Sequence, residues 1–314
     1  MTPSVPTDLN TCSLGELYDE LCAERAPVLL ALARDEDFAG RTDATTVACG
    51  LAGAIETHAV VRHPCVLAGL TSKLLDATRI AFEHHGLVIE PLRPDAERAD
   101  AGDVIVRVAG DVRDVLAVER TVLNLLGRLC GVATLTAEYI AAAREGSPTV
   151  HICETRKTTP GWRGLEKYAV RCGGGTLHRV GLFDAVLIKD NHLSGVPDAE
   201  LAEFVRTAGA RARAGGPLRF VEVEVDTLDQ LDVLLTLEPG VVDIILLDNM
   251  PPDALRDAVA RRDASPAAPQ LEASGGITLD TIGAIAATGV DRISVGALTH
   301  QARSIDIGLD AAPR

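Results

Sequence analysis

The sequence predicts an α/β protein: a small α+β domain first, then a parallel sheet covered by helices. Two observations carry this. From residue 149 onward, six short, mostly apolar runs alternate with helical patterns. Apolar strands of that kind fit a parallel sheet covered on both faces, and repeated strand-then-helix units build either a doubly wound sheet or a barrel. Before about residue 118, helical and strand-like stretches mix without that regularity.

Leu14 to Arg34 reads as helical, with Leu17, Leu21 and Val28-Leu29 at helical spacing and Pro27 as a break or kink. Thr45 to Gly53 is small and strand-compatible, and Ala59-Val60-Val61 is a candidate strand. Leu67 to His85 resembles a second helix through Leu70, Leu74 and Ile80, and Asp103 to Val108 is rich in Val and Ile, as a strand would be. Glu119 to Arg144, rich in Leu and Ala, reads as one long helix. The strands after it are placed at 149–153, 185–189, 220–225, 243–247, 270–273 and 292–295. Helical patterns lie between them at 164–172, 198–214, 228–237, 252–261 and 279–288. Ser304 to Leu309 alternates again, as a strand returning to the first domain would. The expected domains are therefore 1–118 together with 302–314, and 119–301.

The 314 residues are 47% hydrophobic but only 3% aromatic, so Val, Leu, Ile and Ala must fill the core. A net charge of -15 argues against a general nucleic-acid or membrane-surface binder, which needs basic patches. No apolar run approaches the roughly 20 residues that span a bilayer. The seven cysteines are scattered without a C-x-x-C pair, as reduced and mostly buried thiols are. The N-terminus lacks a basic and then apolar leader, and a cytoplasmic location is expected.

Against this acidic background the cations are concentrated. Three of the four lysines (Lys157, Lys167, Lys189) fall in one window with Arg156, Arg163, Arg171 and Arg179. Such a knot suits a small ligand with several negative charges. Polar residues also fall at the ends of the predicted strands: Arg156 and Lys157 after the first, Lys189, Glu224 and Asp248 at the next three, Ser274-Gly275-Gly276 and Gly296-Ala297 after the last two. This is the rim where barrels build active sites. Each residue alone has a plain reading: Lys189 as a solvated strand end, Asp248 as a cap before Pro251-Pro252, Gly173-Gly174-Gly175 as a helix end. Glu222 and Glu224 share one strand face, and two inward carboxylates would need cations. The glycine loops at 274–276 and 296–297 can bring backbone N–H groups to a phosphate. His178 lies amid the cations and is taken as functional; His151 and His192 are taken as structural, and the histidines lack zinc spacing. Gly-x-Gly-x-x-Gly is absent, which weakens a dinucleotide-binding reading.

These segments occur together in a known order. Glu119-Arg120-Thr121, Thr155 to Gly161, Gly173 to Gly175 with His178-Arg179, Lys189-Asp190-Asn191-His192, Val221 to Val225, Leu246-Leu247-Asp248-Asn249, Ser274 to Gly276 and Val295 to Thr299 resemble the quinolinate phosphoribosyltransferase family, densely from about 119 to 309. The resemblance implies an N-terminal α+β sandwich-like domain plus an open or incomplete α/β barrel, in a homodimer or higher assembly with shared active sites. It implies the joining of quinolinate and phosphoribosyl pyrophosphate to nicotinate mononucleotide, pyrophosphate and CO₂, with Mg²⁺, in NAD biosynthesis. Arg120 would reach the partner's site. With Arg156, His178 and Arg179 it would hold the quinolinate carboxylates, with Thr155 among the substrate contacts. Lys157, Lys189, Glu224 and Asp248 form the implied catalytic set: the lysines at the junction of the two substrates, the acids facing the ribose hydroxyls and Mg²⁺, directly or through water or substrate. Ser274, Gly275, Gly276, Val295, Gly296 and Ala297, with His300, would take the 5′-phosphate. Glu154, Trp162 and Leu177 depart from the family's usual residues, and the first 40 or so residues look longer than usual.

That chemistry asks for such a site. Two anions repel in water, and a cationic pocket removes the barrier and sets their orientation. Two rival readings remain at this level: a lyase forming a Schiff base at Lys189, and a non-catalytic binder of anionic metabolites.

Overall fold

The computed structural model describes residues 8–312; the expected first domain, 1–118 with 302–314, therefore has its first seven and last two residues outside the description. The helices are α1 (Leu14–Leu21), α2 (Ala26–Phe38), α3 (Ala44–Ala48), α4 (Ser72–Ala81), α5 (Val112–Arg144), α6 (Arg163–Cys172), α7 (Asp190–Leu193), α8 (Leu201–Ala214), α9 (Leu228–Leu235), α10 (Pro252–Asp263), α11 (Leu279–Ala286) and α12 (Ala297–His300). The strands are β1 (Ala54–Val61), β2 (Cys65–Val66), β3 (Val88–Pro91), β4 (Arg98–Ala99), β5 (Val104–Asp111), β6 (His151–Cys153), β7 (Val186–Ile188), β8 (Val221–Val225), β9 (Ile244–Asp248), β10 (Gln270–Ser274), β11 (Arg292–Ser294) and β12 (Ile307–Ala311). They form two compact units.

One unit comprises Cys12–Ala137, Thr158–Gly174 and the stretch from Leu298 on. Its sheet runs β12-β1-β5-β3, antiparallel throughout. Val115, Val118, Val122 and Leu126 recur at steps of three and four along α5 and enter the same core as Val61, Ile105 and Val108 of the sheet. The last segment returns along α5 at very close range: a Cβ on Gly131 would lie 2.0 Å from the Arg303 carbonyl oxygen, so only glycine fits there. Glu166 of α6 is fully buried and accepts from Arg128 Nη2 (2.5 Å), Thr159 N (3.0 Å) and Thr159 Oγ1 (2.9 Å). Tyr168 of α6 donates to Asp95 (2.6 Å), whose other oxygen accepts the Leu70 amide at 2.8 Å.

Several sequence expectations need correction here. The single helix from Leu14 to Arg34 is two helices; Pro27 stands in the first turn of α2, where its missing N–H leaves nothing unpaired. Thr45 to Gly53 is not a strand: the Asp43 carboxylate accepts from Thr45 N and Thr46 N and starts α3. The second helix is confined to α4, and Glu83 just beyond it takes φ +61°. The long helix starts at Val112, not Glu119, and β3 was not anticipated.

The other unit comprises the stretch ending at Thr11, Glu138–Lys157 and Gly175–Ala297. Six parallel strands run in the order β6-β11-β10-β9-β8-β7. No pairing among the described residues joins β6 to β7, so the sheet is open rather than a closed barrel. The register aligns the strand ends: Ser274 stands opposite both Asp248 and Ser294, and Ser294 opposite Cys153. One rim therefore collects whatever follows each strand. Cys153 is fully buried in β6, and burial pushes its thiol up, so it offers no nucleophile at that rim.

Candidate active site

At the C-terminal ends of these strands lies a cavity of about 620 Å³. Ten of the residues expected at the site line it: Thr155, Arg156, Lys157, His178, Arg179, Lys189, Asp248, Ser274, Gly275 and Gly276. Glu224 joins them through an ion pair with Lys189. Val295 packs inward instead, its amide donating to the Cys153 carbonyl (2.8 Å), and the wall at that point is made by Ser294. Gly296 and Ala297 are likewise not among the lining residues. Arg120 and His300 belong to the first unit; the Arg120 side chain is 67% exposed on α5. A second cavity, of about 600 Å³, opens at the opposite ends of the strands and holds none of the expected residues.

Asn249, Glu272 and Ser294 line the site but were not expected there. One signal was available: Glu272 and Ser274 are two apart on one strand and so share a face. The place of Ser294 follows only from the observed register, which sets it opposite Ser274.

Each functional group is held by its neighbours. Lys189 follows β7, and its amide donates to His192 Nδ1 at 2.9 Å, so His192 fixes the lysine's backbone. Lys157 N donates to Thr155 Oγ1 (3.1 Å). Asp248 does not cap a helix; the N-cap of α10 is Pro251. Its carboxylate accepts from Asn249 Nδ2 (2.6 Å), and Asn249 N donates to the Ser274 carbonyl (2.8 Å). Gly275 (φ +99°) lies against that asparagine, where a Cβ would sit 2.1 Å from its Oδ1.

The segment from Leu177 to Gly181 is clamped on several sides. Asn10 bonds both backbone groups of Leu177, accepting at 2.6 Å and donating at 3.1 Å, so the leading segment has at least this role. Glu154 accepts the His178 amide (2.9 Å), Arg219 donates to the His178 carbonyl (2.9 Å), and Asp184 accepts from Val180 N and Gly181 N (2.8 Å each).

The two nitrogens of the His178 ring face different neighbours. Nδ1 accepts the Arg179 amide (2.8 Å); Nε2 lies 2.9 Å from Glu222 and 3.4 Å from Glu272, both fully buried. Burial opposes charge on the ring, while Glu272 and Glu222 outweigh it and raise its pKa. The Arg179 amide opposes a second ring proton, because Nδ1 cannot both carry a proton and accept one. The Arg179 amide and the two carboxylates thus pull the ring's protonation in opposite directions. Burial and the neighbouring Glu272 push the Glu222 carboxyl up. Glu272 has its own cation, Arg292, at 2.7 Å. His178, Glu222 and Glu272 each offer a possible ligand atom, and these lie within 4.8 Å of one another.

Arg179 completes the picture. Its pKa is lowered, first by partial burial and then by the charge of Arg156 beside it. Two guanidinium groups that repel each other in a partly desolvated cavity favour an anionic occupant.

Comparisons with known proteins agree with this geometry. Residues 43–130 match the quinolinate phosphoribosyl transferase N-terminal domain and residues 132–310 its C-terminal domain. The nicotinate-nucleotide pyrophosphorylase [carboxylating] of Mycobacterium leprae is 42% identical over 276 residues, 88% of this chain and 93% of that protein. A probable enzyme of the same name from Bacillus subtilis is 41% identical over 218 residues, 69% of this chain and 71% of that protein. Among solved structures, the nicotinate-nucleotide pyrophosphorylase of Francisella tularensis superimposes with a TM-score of 0.81 at 33% identity, covering 92% of this chain and 97% of that one. The chain belongs to the quinolinate phosphoribosyltransferase family.

Proposed function

We propose that the rim cavity is where quinolinate and phosphoribosyl pyrophosphate meet. The reaction is the carboxylating nicotinate-nucleotide pyrophosphorylase reaction of NAD biosynthesis. The pyridine nitrogen attacks the ribose anomeric carbon, pyrophosphate leaves, and the carboxylate next to the ring nitrogen departs as CO₂ with a proton taking its place. The observation that carries the assignment to this cavity is the pairing of Arg156 and Arg179 in one lining with Lys189 and Lys157. Guanidinium forks match carboxylates bidentately, and lysines suit the point where two polyanions adjoin.

In this reading Arg156 and Arg179 take the quinolinate carboxylates. Lys157 and Lys189 neutralise charge between the substrates, and Ser274, Gly275 and Gly276 offer backbone N–H groups to the 5′-phosphate. As pyrophosphate leaves, the ribose carbon gains positive charge, and the carboxylates of Glu224 and Asp248 lie at the strand ends best suited to offset it. The same two acids are hard oxygen donors on neighbouring strands, a set that fits Mg²⁺ held partly by substrate. Bound there, Mg²⁺ would offset charge on the leaving pyrophosphate. Decarboxylation needs little from the protein, since the new pyridinium nitrogen withdraws the electrons left on the ring. The Lys189–Glu224 ion pair occupies the amine that a Schiff-base lyase would use as nucleophile.

The reading extends to a homodimer in which Arg120 serves the partner's cavity, supported by the exposure of that guanidinium on α5, and to a cytoplasmic location. No helix among the described residues is long and apolar enough to cross a membrane. The test is product detection by mass. Nicotinate mononucleotide should form only when quinolinate, phosphoribosyl pyrophosphate and Mg²⁺ are all present; absence of product from the complete mixture would refute the reading.

A further inference from the structure

Each of the two acids at the rim is held by one oxygen. Lys189 Nζ pairs with Glu224 Oε2, and Asn249 Nδ2 donates to Asp248 Oδ2 at 2.6 Å. Among the described residues no hydrogen bond reaches the other carboxylate oxygen of either acid. The two holders differ in kind. A lysine can be drawn off by an anionic guest, whereas a neutral amide gains nothing from one and stays on its carboxylate. Asn249 lines the cavity, and its backbone has φ +53°, a left-handed conformation that asparagine and glycine tolerate and most residues do not. Its own amide donates to the Ser274 carbonyl at 2.8 Å, and its Oδ1 lies against Gly275. Asp248 and Ser274 are register partners. One residue therefore bridges the acid that ends β9 and the glycine turn that follows β10.

We propose that Asn249 is a positioning residue for the ribose-phosphate half of phosphoribosyl pyrophosphate. It holds Asp248 by Oδ2, leaves Oδ1 for a sugar hydroxyl, and fixes the distance from that acid to the 274–276 amides. This rests on the reading that Asp248 faces the ribose hydroxyls and that residues 274–276 take the 5′-phosphate. A ribose 5-phosphate carries its 2- and 3-hydroxyls and its phosphate at opposite ends of one rigid ring. Both ends are met at once only if the acid and the glycine turn keep a set spacing. A carboxylate released from Asn249 would have to be ordered at each binding event, which costs affinity. The hydrogen bonds of Asn249 go to Asp248 and Ser274 and to none of the cavity's arginines. The effect should therefore fall on one substrate.

The experiment uses the full-length enzyme with Mg²⁺ present throughout. Initial rates against each substrate in turn, and melting temperatures, are measured for wild type, Asn249→Gly, Asn249→Asp and Asp248→Ala. Glycine accepts the left-handed backbone and removes the amide. Aspartate keeps the size and tolerates the backbone, but it has no N–H to donate and sets a second negative charge against Asp248. The phosphoribosyl pyrophosphate KM should rise about tenfold in Asn249→Gly and further in Asn249→Asp, while the quinolinate KM stays within about twofold of wild type. Equal rises in both KM values, or a lower melting temperature with neither KM changed, would overturn the proposal. A phosphoribosyl pyrophosphate KM in Asn249→Asp at or below the wild-type value would identify residue 249 as a direct ligand of the substrate and sink the positioning role. Should Asn249→Gly fail to fold, the split between the two KM values in Asn249→Asp decides the matter alone. An unchanged phosphoribosyl pyrophosphate KM in Asp248→Ala, or no turnover in wild type, would instead refute the underlying reading, so the two failures are distinguishable.

Discussion

Replacing Gly275 with alanine should damage both stability and phosphoribosyl pyrophosphate binding, and the size of the damage can be worked out. Gly275 has φ +99°, which costs a side-chain-bearing residue on the order of 1–3 kcal/mol. The added methyl would lie 2.1 Å from Asn249 Oδ1 and 2.5 Å from its Cγ, so the asparagine side chain must swing away. That forfeits its bond to Asp248, a charge-assisted contact of 2.6 Å worth roughly 1.5–3 kcal/mol. The Asn249 backbone nitrogen at 3.0 Å cannot yield without loosening its own bond to Ser274. The sum is about 2.5–6 kcal/mol, or a melting temperature lower by on the order of 10 °C. Thermal scans and initial rates on Gly275→Ala read both effects: a lower melting point, and a KM for phosphoribosyl pyrophosphate raised about tenfold or more, because the 274–276 amides lose their arrangement. Gly276→Ala is the control: its φ is +61° with nothing within 4 Å of the added carbon, so it should cost only about 1–2 kcal/mol. A Gly275→Ala enzyme with wild-type melting and wild-type KM would refute the packing argument.

Glu166→Ala should destabilise the first unit by roughly 3–5 kcal/mol, because it strands Arg128 without its carboxylate; denaturant unfolding against wild type measures it, and a loss under about 1 kcal/mol would count against the burial of this pair. Asp95 predicts a pH dependence. Burial pushes its carboxyl up, against the pull of Tyr168 and three backbone amides, so its protonated form suits the folded state and the stability it contributes falls as pH rises above the usual aspartate value. Asp95→Asn lacks that titration, so the stability gap between wild type and variant should shrink between pH 3 and pH 7; a gap that widens contradicts the sign. For the shared site, Arg120→Ala and Lys189→Ala chains, each inactive alone, should recover part of the activity when mixed and refolded, and properly folded hybrids without activity would argue that each chain works by itself.

The site was more legible than the domain that precedes it, for a physical reason. Lys189, Glu224 and Asp248 are polar residues that close apolar runs, and parallel strands in register bring such residues to one rim whatever the loops do. Glu272 was missed because its strand was judged by its apolar members; its spacing from Ser274 carried the information. Asn10 carried no signal, since its partner, Leu177, is 167 residues away. In the first domain the outcome turned on tertiary pairing and single caps. Thr45 to Gly53 has the composition of a strand, yet two amide hydrogen bonds accepted by the Asp43 carboxylate commit its start to a helical turn. The four residues of β3 become a strand only because β5 lies alongside.

The ion pair between Lys189 and Glu224 gives the cavity a filter against small anions. Chloride or acetate approaching Lys189 must pull it from a carboxylate that is itself largely shielded from solvent, and offers that carboxylate nothing in exchange. A guest can open the pair without penalty only if it presents negative charge to the lysine while also bringing hydroxyl groups or a metal ion to the acid. Ordinary cellular salt, which can do only the first, should therefore compete poorly for this end of the cavity.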